Sequence, residues 1–258
     1  MVCRSRERGQ EALSDIVQKS GNEQVHLHVA DMSRPKQIQD FVDGFKKDSG
    51  KPVDILINNA GVLLSEREKT PEGLATSFAT NMLGPFILTK LLLPLLVQQG
   101  QERSRVINVS SGGMYSSRLD VSDLQSEKTE PFNGAGVYAH EKRQMVIWTA
   151  EMAKKYPQVL FFSTHPGWVD TPGVEKSIPD FHRNLKNQLR TVQQGVDTMM
   201  WLGMAEEKDV ESGNGKFWFD REVVREHLPL AGTQPSEADV QSLLSQLEEL
   251  SQSVLDVK

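Results

Sequence analysis

The chain has 258 residues, of which 38% are hydrophobic and 25% charged, with a formal net charge of −6. That length suits one α/β domain with an extension or two small domains, and the acidic balance argues against a nucleic-acid binder, which presents a basic face. One cysteine, Cys3, leaves no partner for an intrachain disulfide and fits a reducing, cytoplasmic setting. In chain order, the basic start MVCRSRERGQEAL lacks the apolar stretch of a secretory signal, and a helix is predicted over 6–19. Residues 24–31, QVHLHVAD, alternate with period two and place Val25, Leu27 and Val29 on one face of a strand. His26 and His28 fall on the other face, with no third ligand at metal-binding spacing. A helix over 34–48, a strand over 53–59 (VDILINN) and a helix over 72–99 follow. The last contains FILTKLLLPLLV, an apolar run too short to span a membrane and interrupted by Lys90 and Pro94, so a buried helix is expected. Residues 105–111 (RVINVSS) and 159–165 (VLFFSTH) read as strands buried on both faces. Helices are predicted over 137–155, 182–204 and 236–255. The last opens with Ser236 and Asp239 in a capping-box-like arrangement. Its stripe of Val240, Leu243, Leu244, Leu247 and Leu250 suits packing on the body or at a homo-oligomer interface.

Short apolar strands alternating with helices imply a doubly wound parallel α/β sheet, with ligands bound at the carboxyl ends of the strands. The residues at those ends are Asp31, Asn58 to Gly61, Ser110 to Gly113, and His165 to Thr171. Tyr138 and Lys142 stand four apart in a helical segment and so share a face. A free phenol, with a pKa of about 10, is a poor base at neutral pH. A neighbouring ammonium favours the phenolate, which would let Tyr138 pass a proton to or from a substrate oxygen. The pair could equally be a surface contact. Ser111 ends a strand before Gly112 and Gly113, where its hydroxyl could hold the same oxygen. Asn81 lies within an apolar helical stretch, where its amide either satisfies backbone groups or holds a relay water.

The ordered set DILINNAG, NMLGPF, RVINVSSGG, YAHEK and HPGWVDT resembles the short-chain dehydrogenase/reductase family over roughly residues 1–220, leaving 221–258 as a linker and amphipathic helix. The resemblance implies a Rossmann-like fold, a nicotinamide cofactor and a small carbonyl or alcohol substrate. It also implies roles. Tyr138 is the general acid/base, Lys142 lowers its pKa and bonds the nicotinamide ribose, Ser111 orients the substrate, and Asn81 supports a relay water. Asn58, Ala60 and Gly61 lie along the adenosine half with Asp31 near the adenine, while Pro166, Gly167 and Thr171 hold the carboxamide. In VCRSR, Arg4 and Arg6 stand where the family chooses its dinucleotide, so NADP(H) is favoured over NAD(H). The insert DVSDLQSEKTEPFNGAG resembles retinol-dehydrogenase-like members and suggests a lipophilic substrate.

One family element is missing: no Gly-rich turn precedes the first helix to receive a pyrophosphate. The expectation is therefore an N-terminally truncated Rossmann-like sheet, lacking a central strand and exposing two strand edges. Two functions stay open, an oxidoreductase and a non-catalytic protein using the shortened fold for association. Trp168, Met114 and Phe132 flank the expected site as pocket walls or as core filler.

Overall fold

The computed structural model describes residues 1–97 and 102–256. Its strands are β1 (Val2–Cys3), β2 (His28–Val29), β3 (Ile55–Asn58), β4 (Ser104–Val109), β5 (Val159–Thr164), β6 (Phe217–Phe219) and β7 (Glu222–Val224). The principal helices are α1 (Arg6–Ser20), α2 (Pro35–Asp48), α3 (Thr76–Leu96), α4 (Gly134–Lys155), α5 (Val192–Met204) and α6 (Glu237–Leu255). β3 to β6 form a parallel sheet in chain order, and β7 closes it antiparallel to β6. β1 and β2 form a separate parallel pair.

Alternation along the central strands builds two cores, because successive side chains face opposite sides of a sheet. Val106 and Phe161 point toward α2, α3, α4 and α6, into the larger cluster with Phe78, Ile87 and Trp148. Ile107, Val109, Leu160 and Phe162 point the other way, onto Met199 and Leu202 of α5 and onto Trp218. The architecture is thus a predominantly parallel sheet with helices on both sides. β4 and β5 are buried along their whole lengths, as their unbroken apolar runs imply. β3 is not: Ile55 is 41% exposed.

The helices begin where local chemistry allows. Ser5 caps α1 by accepting from the Arg8 amide, and Gly21 ends it in the left-handed region. Pro35 opens α2, where its missing N–H costs nothing. Thr191 and Gln194 form a reciprocal capping box on α5. Ser236 accepts from the Asp239 amide at 3.1 Å, which bears out the capping reading of the last helix. Leu243 and Leu247 of α6 are fully buried, and Val240, Leu244 and Leu250 pack beside them in the larger core.

Four expectations need correction. The strand expected over 24–31 shrinks to His28–Val29, because its ladder partner β1 is only two residues long. The helix expected over 72–99 runs Thr76–Leu96; residues 98 and 99 fall outside the described ones. At 21 residues it is, by length and composition alone, apolar enough to cross a membrane, yet 78% of that window is buried inside this fold. The helix expected over 182–204 is interrupted. A short helix ends at Leu185 and α5 starts at Val192, since Arg190 in between forms a bridge opposite Val169, donating to the Trp168 carbonyl and accepting from the Asp170 amide. The β6–β7 hairpin was not foreseen; Asp220 and Arg221 turn it with φ of 51° and 62°.

Candidate active site

Four strand ends supply the site, as the doubly wound topology requires. β4 leads through Ser110 into Ser111, and Ser110 anchors to α4 by donating to the Lys142 carbonyl at 3.0 Å. Ser111 itself is buried; its hydroxyl accepts from the Gly113 amide at 3.1 Å and lies near enough to the Tyr138 phenol to favour its ionised form. Tyr138 and Lys142 lie one turn apart on α4, with the ammonium 5.4 Å from the ring centroid. The helical spacing is therefore realised as a shared face, turned inward. Lys142 is 2% exposed and donates to the Val109 carbonyl at 2.8 Å.

Asn81 occupies a π-helical turn, Ala79–Leu83, inside α3. Such turns widen the helix locally and re-aim side chains. Here the Asn81 amide bonds both backbone groups of Val62, accepting at 2.8 Å and donating at 2.7 Å. It also donates to Glu141 Oε2 at 2.6 Å. Asn81 thus ties the Asn58–Gly61 segment to α4, and the backbone-satisfying reading of its side chain accounts for these bonds.

The electrostatics differ from the sequence expectation. The Tyr138 phenol is pushed up to about 12, by burial first and by the charge of neighbouring Glu141 second; the Ser111 hydroxyl nearby opposes both. Lys142 does not lower it here, because burial draws the ammonium itself down to about 8 and its proton faces Val109. Glu141 moves to about 7 through burial, opposed by its bonds from Asn81 and Ser77 and by Lys142.

At the β1–β2 end, where the resemblance puts the adenosine, Arg4 follows β1 and Asp31 follows β2, and they approach to 3.9 Å. Arg4 is mostly exposed, whereas Asp31 also accepts from the Ser33 amide and hydroxyl. Ala60 and Gly61 are exposed on the loop after β3. Asn58 is buried and spends its amide on Thr89 at 3.1 Å and Asn108 at 2.7 Å. Its side chain braces the β3–β4 pair rather than facing the opening. At the opposite end, Pro166 and Gly167 are half-buried, and the Thr171 hydroxyl caps the helix Pro172–Ser177 by accepting from the Val174 amide at 3.2 Å. Gly167 adopts φ of +80°, and a Cβ there would sit 2.5 Å from Arg190 Nε, so only glycine fits.

A cleft of about 540 Å³ opens beside Gly112 and Gly113, walled mainly by Tyr115, Trp168, Phe217, Phe219, Val224 and Leu228. Trp168 is a pocket wall. Met114 is instead core filler, with no exposed surface, and Phe132 lies under the Arg67 guanidinium at 5.2 Å. His140 is a bystander to the chemistry: it accepts from the Asp120 amide and bonds Ser126, pinning the insert before α4.

Two contributors were given no role in the sequence reading, although one of them, His165, stands at a strand end that it singled out. His165 Nδ1 accepts from the Gly112 amide at 3.0 Å and lies 3.4 Å from the Gly167 amide, linking the Ser111 turn to the Pro166–Gly167 turn. Burial and then Arg190 hold it neutral by drawing its pKa down to about 4. Arg190 grips Asp220 through both terminal nitrogens and stacks 4.6 Å above Phe219, closing the cleft's far wall. A strand-end His was visible in the sequence; Arg190 gave no local signal.

Comparison with known proteins agrees with this fold. Residues 1–182 match the short chain dehydrogenase family. The chain is 44% identical over 253 residues to human (Homo sapiens) dehydrogenase/reductase SDR family member 12, covering 98% of this chain and 78% of that protein. It is 34% identical over 220 residues to human retinol dehydrogenase 11, covering 83% and 67% respectively. Among solved structures, the NADPH-bound carbonyl reductase from chicken fatty liver superposes with a TM-score of 0.59 at 23% identity, covering 84% of this chain and 82% of that one. A protein from Mycobacterium paratuberculosis reaches 0.73 at 22%, covering 98% and 83%. These two likenesses concern the fold. With the family match spanning most of the chain, this protein belongs to the short-chain dehydrogenase/reductase family of oxidoreductases, which use nicotinamide cofactors.

Proposed function

We propose that the chain is an NADP(H)-dependent oxidoreductase interconverting a carbonyl and an alcohol, with Tyr138 as its general acid/base. The observation behind this reading is the convergence of Tyr138, Ser111 and Lys142 at the carboxyl end of β4, beside an apolar cleft. The residues at two ends suit a dinucleotide. Gly61 keeps space open near Lys142, since a Cβ there would lie 3.7 Å from its Nζ and 3.2 Å from Asn81 Oδ1. The Lys142 ammonium carries three donors; Val109 takes one and two are left for ribose hydroxyls. Arg4 offers an exposed guanidinium for a 2′-phosphate. The middle is different: β1 passes to α1 through Arg4 and Ser5, and the described residues offer no Gly-rich turn there.

The nicotinamide, when bound, supplies hydride chemistry; the chain supplies position and the proton. Ser111 Oγ accepts from Gly113, which leaves its own proton free to donate to the reacting oxygen. During reduction Tyr138 gives its phenolic proton to that oxygen, and during oxidation it takes one back. Lys142, anchored on the Val109 carbonyl, serves the ribose rather than the phenol. The aromatic walls exclude water and select an apolar substrate, so a lipophilic carbonyl or alcohol is proposed; the retinol dehydrogenase relative supports that choice. Tyr138→Phe tests the reading. Turnover of a lipophilic aldehyde with NADPH should fall about 10²- to 10⁴-fold without loss of the folded state. Unchanged turnover would remove Tyr138 from the role.

A second reading has its own observation. Val2, Val29 and Ile55 are exposed apolar side chains on strands with unpaired edges among the described residues. Such edges invite association, including homo-oligomers. A cooperative thermal transition unmoved by either NADPH or NADH, together with a dimer in solution, would favour association over catalysis.

A further inference from the structure

Glu141 is the buried group whose presence catalysis by Tyr138 and Lys142 does not itself explain. It has no exposed surface and sits between those two residues in sequence. Its Oε2 accepts from Asn81 Nδ2 at 2.6 Å and Ser77 Oγ at 2.8 Å, while its Oε1 is buried without a partner. Burying a carboxyl with one oxygen unsatisfied costs stability, and an apolar residue of similar size would avoid that cost. What the carboxyl secures is a connection. Asn81 bonds Val62 through both its oxygen and its nitrogen, so Glu141 joins α4, the π turn of α3 and the loop after β3 in one chain of hydrogen bonds.

We propose that Glu141 is a positioning residue for this site: its buried carboxyl clamps Asn81 against the Val62 loop and, by its charge, sets how readily Tyr138 ionises. The proposal rests on the reading of Tyr138 as acid/base only in its second half. Tyr138 and Lys142 are the titratable groups of α4 that act on or feel the carboxyl, and α3 presents Ser77 and Asn81 to it. The next residue, Arg143, directs its guanidinium elsewhere, to the carbonyls of Met114, Ser117 and Glu226. Directionally, a charged Glu141 raises the phenol while a neutral one does not. Burial raises the carboxyl's own pKa toward neutrality, so the clamp titrates near neutral pH.

The deciding experiment follows the Asn81 side-chain amide by NMR between pH 5 and 9 in the full chain, with Glu141→Gln, Ser77→Ala and Tyr138→Phe alongside. In the parent, the amide shifts should follow a titration well above the ordinary glutamate range. Glu141→Gln should abolish that titration, and Ser77→Ala should move it upward by removing a bond that favours the carboxylate. An Asn81 amide that does not titrate, or that titrates unchanged in Glu141→Gln, overturns the proposal; should Glu141→Gln fail to fold, an unmoved midpoint in Ser77→Ala does so instead. Tyr138→Phe should keep the Asn81 titration, which separates this inference from the acid/base reading. With turnover in hand, Glu141→Gln should move the alkaline midpoint of alcohol oxidation to lower pH by about one unit, equivalent to about tenfold in rate below it. A midpoint that stays in place would refute the charge effect, because loss of a purely structural contact lowers the rate without moving its pH dependence.

Discussion

The two ends of the molecule contrast in how their strands are held. β4 and β5 pair with each other over six residues, are each paired on their other side as well, are buried throughout and feed two cores. β1 and β2 pair only with each other over two residues, leaving Val2 and Val29 exposed, and α1 rests on them with Ile16 exposed. Gly9 of α1 meets Leu27 there, but neither belongs to a buried apolar cluster. The same family fold therefore has one end, carrying Ser111, Tyr138 and Lys142, built on a fully buried sheet and another, carrying Arg4 and Asp31, built on a thin one. Strand length and burial on both faces, rather than apolar composition alone, make the difference.

The contrast can be broken by mutation. Trp148 is fully buried against Phe86 in the larger core, so Trp148→Ala should cost about 3–5 kcal/mol of unfolding free energy. Ile16→Ala, on the exposed side of α1, should stay within about 0.5 kcal/mol. Equal costs in denaturant melts would dissolve the distinction. Hydrogen exchange gives the same contrast without substitution: amides of β4 and β5 should exchange only through global unfolding, and those of β1 and β2 through local opening. Comparable protection at both ends would count against it.

pH sharpens the comparison at the catalytic end. His165 has its folded pKa depressed from 6.5 to about 4, so the folded state binds fewer protons than the unfolded one in that window. Its contribution is present above pH 6.5 and is lost as pH falls toward 4. His165→Gln should flatten that acid limb relative to the parent, measured by thermal unfolding at half-unit pH steps. Glu141 acts in the opposite sense, since its raised folded pKa removes stability as pH climbs from 4.5 to about 7. At the adenosine end the expected effect is smaller. Arg4→Ala should weaken NADPH binding about tenfold, the loss of a single charge-assisted phosphate contact, and leave NADH binding unaltered. Parallel loss for both nucleotides would assign Arg4 a structural role.

Much of the site was legible because local spacing maps directly onto local geometry. Tyr138 and Lys142 share a helical face whatever surrounds them, and Ser111 and Asp31 fall at strand ends because apolar runs stop there. The polar bracing was not legible. The bonds of Asn58 to Asn108 and Thr89, of Glu141 to Asn81 and Ser77, and of Arg190 to Asp220 all join residues 30 or more positions apart. Neither periodicity nor spacing reports such a meeting.

The sequence by itself determined the alternation of strands and helices through β5, the parallel sheet and which residues stand at its carboxyl ends, since those follow from hydrophobic period and from the stops between runs. Only the tertiary structure decided the charge state of the centre. Tyr138 is pushed up to about 12 because folding buries its hydroxyl and seats Glu141 beside it, while Lys142 turns to the Val109 carbonyl. Desolvation depends on everything packed around a group, so no motif encodes it.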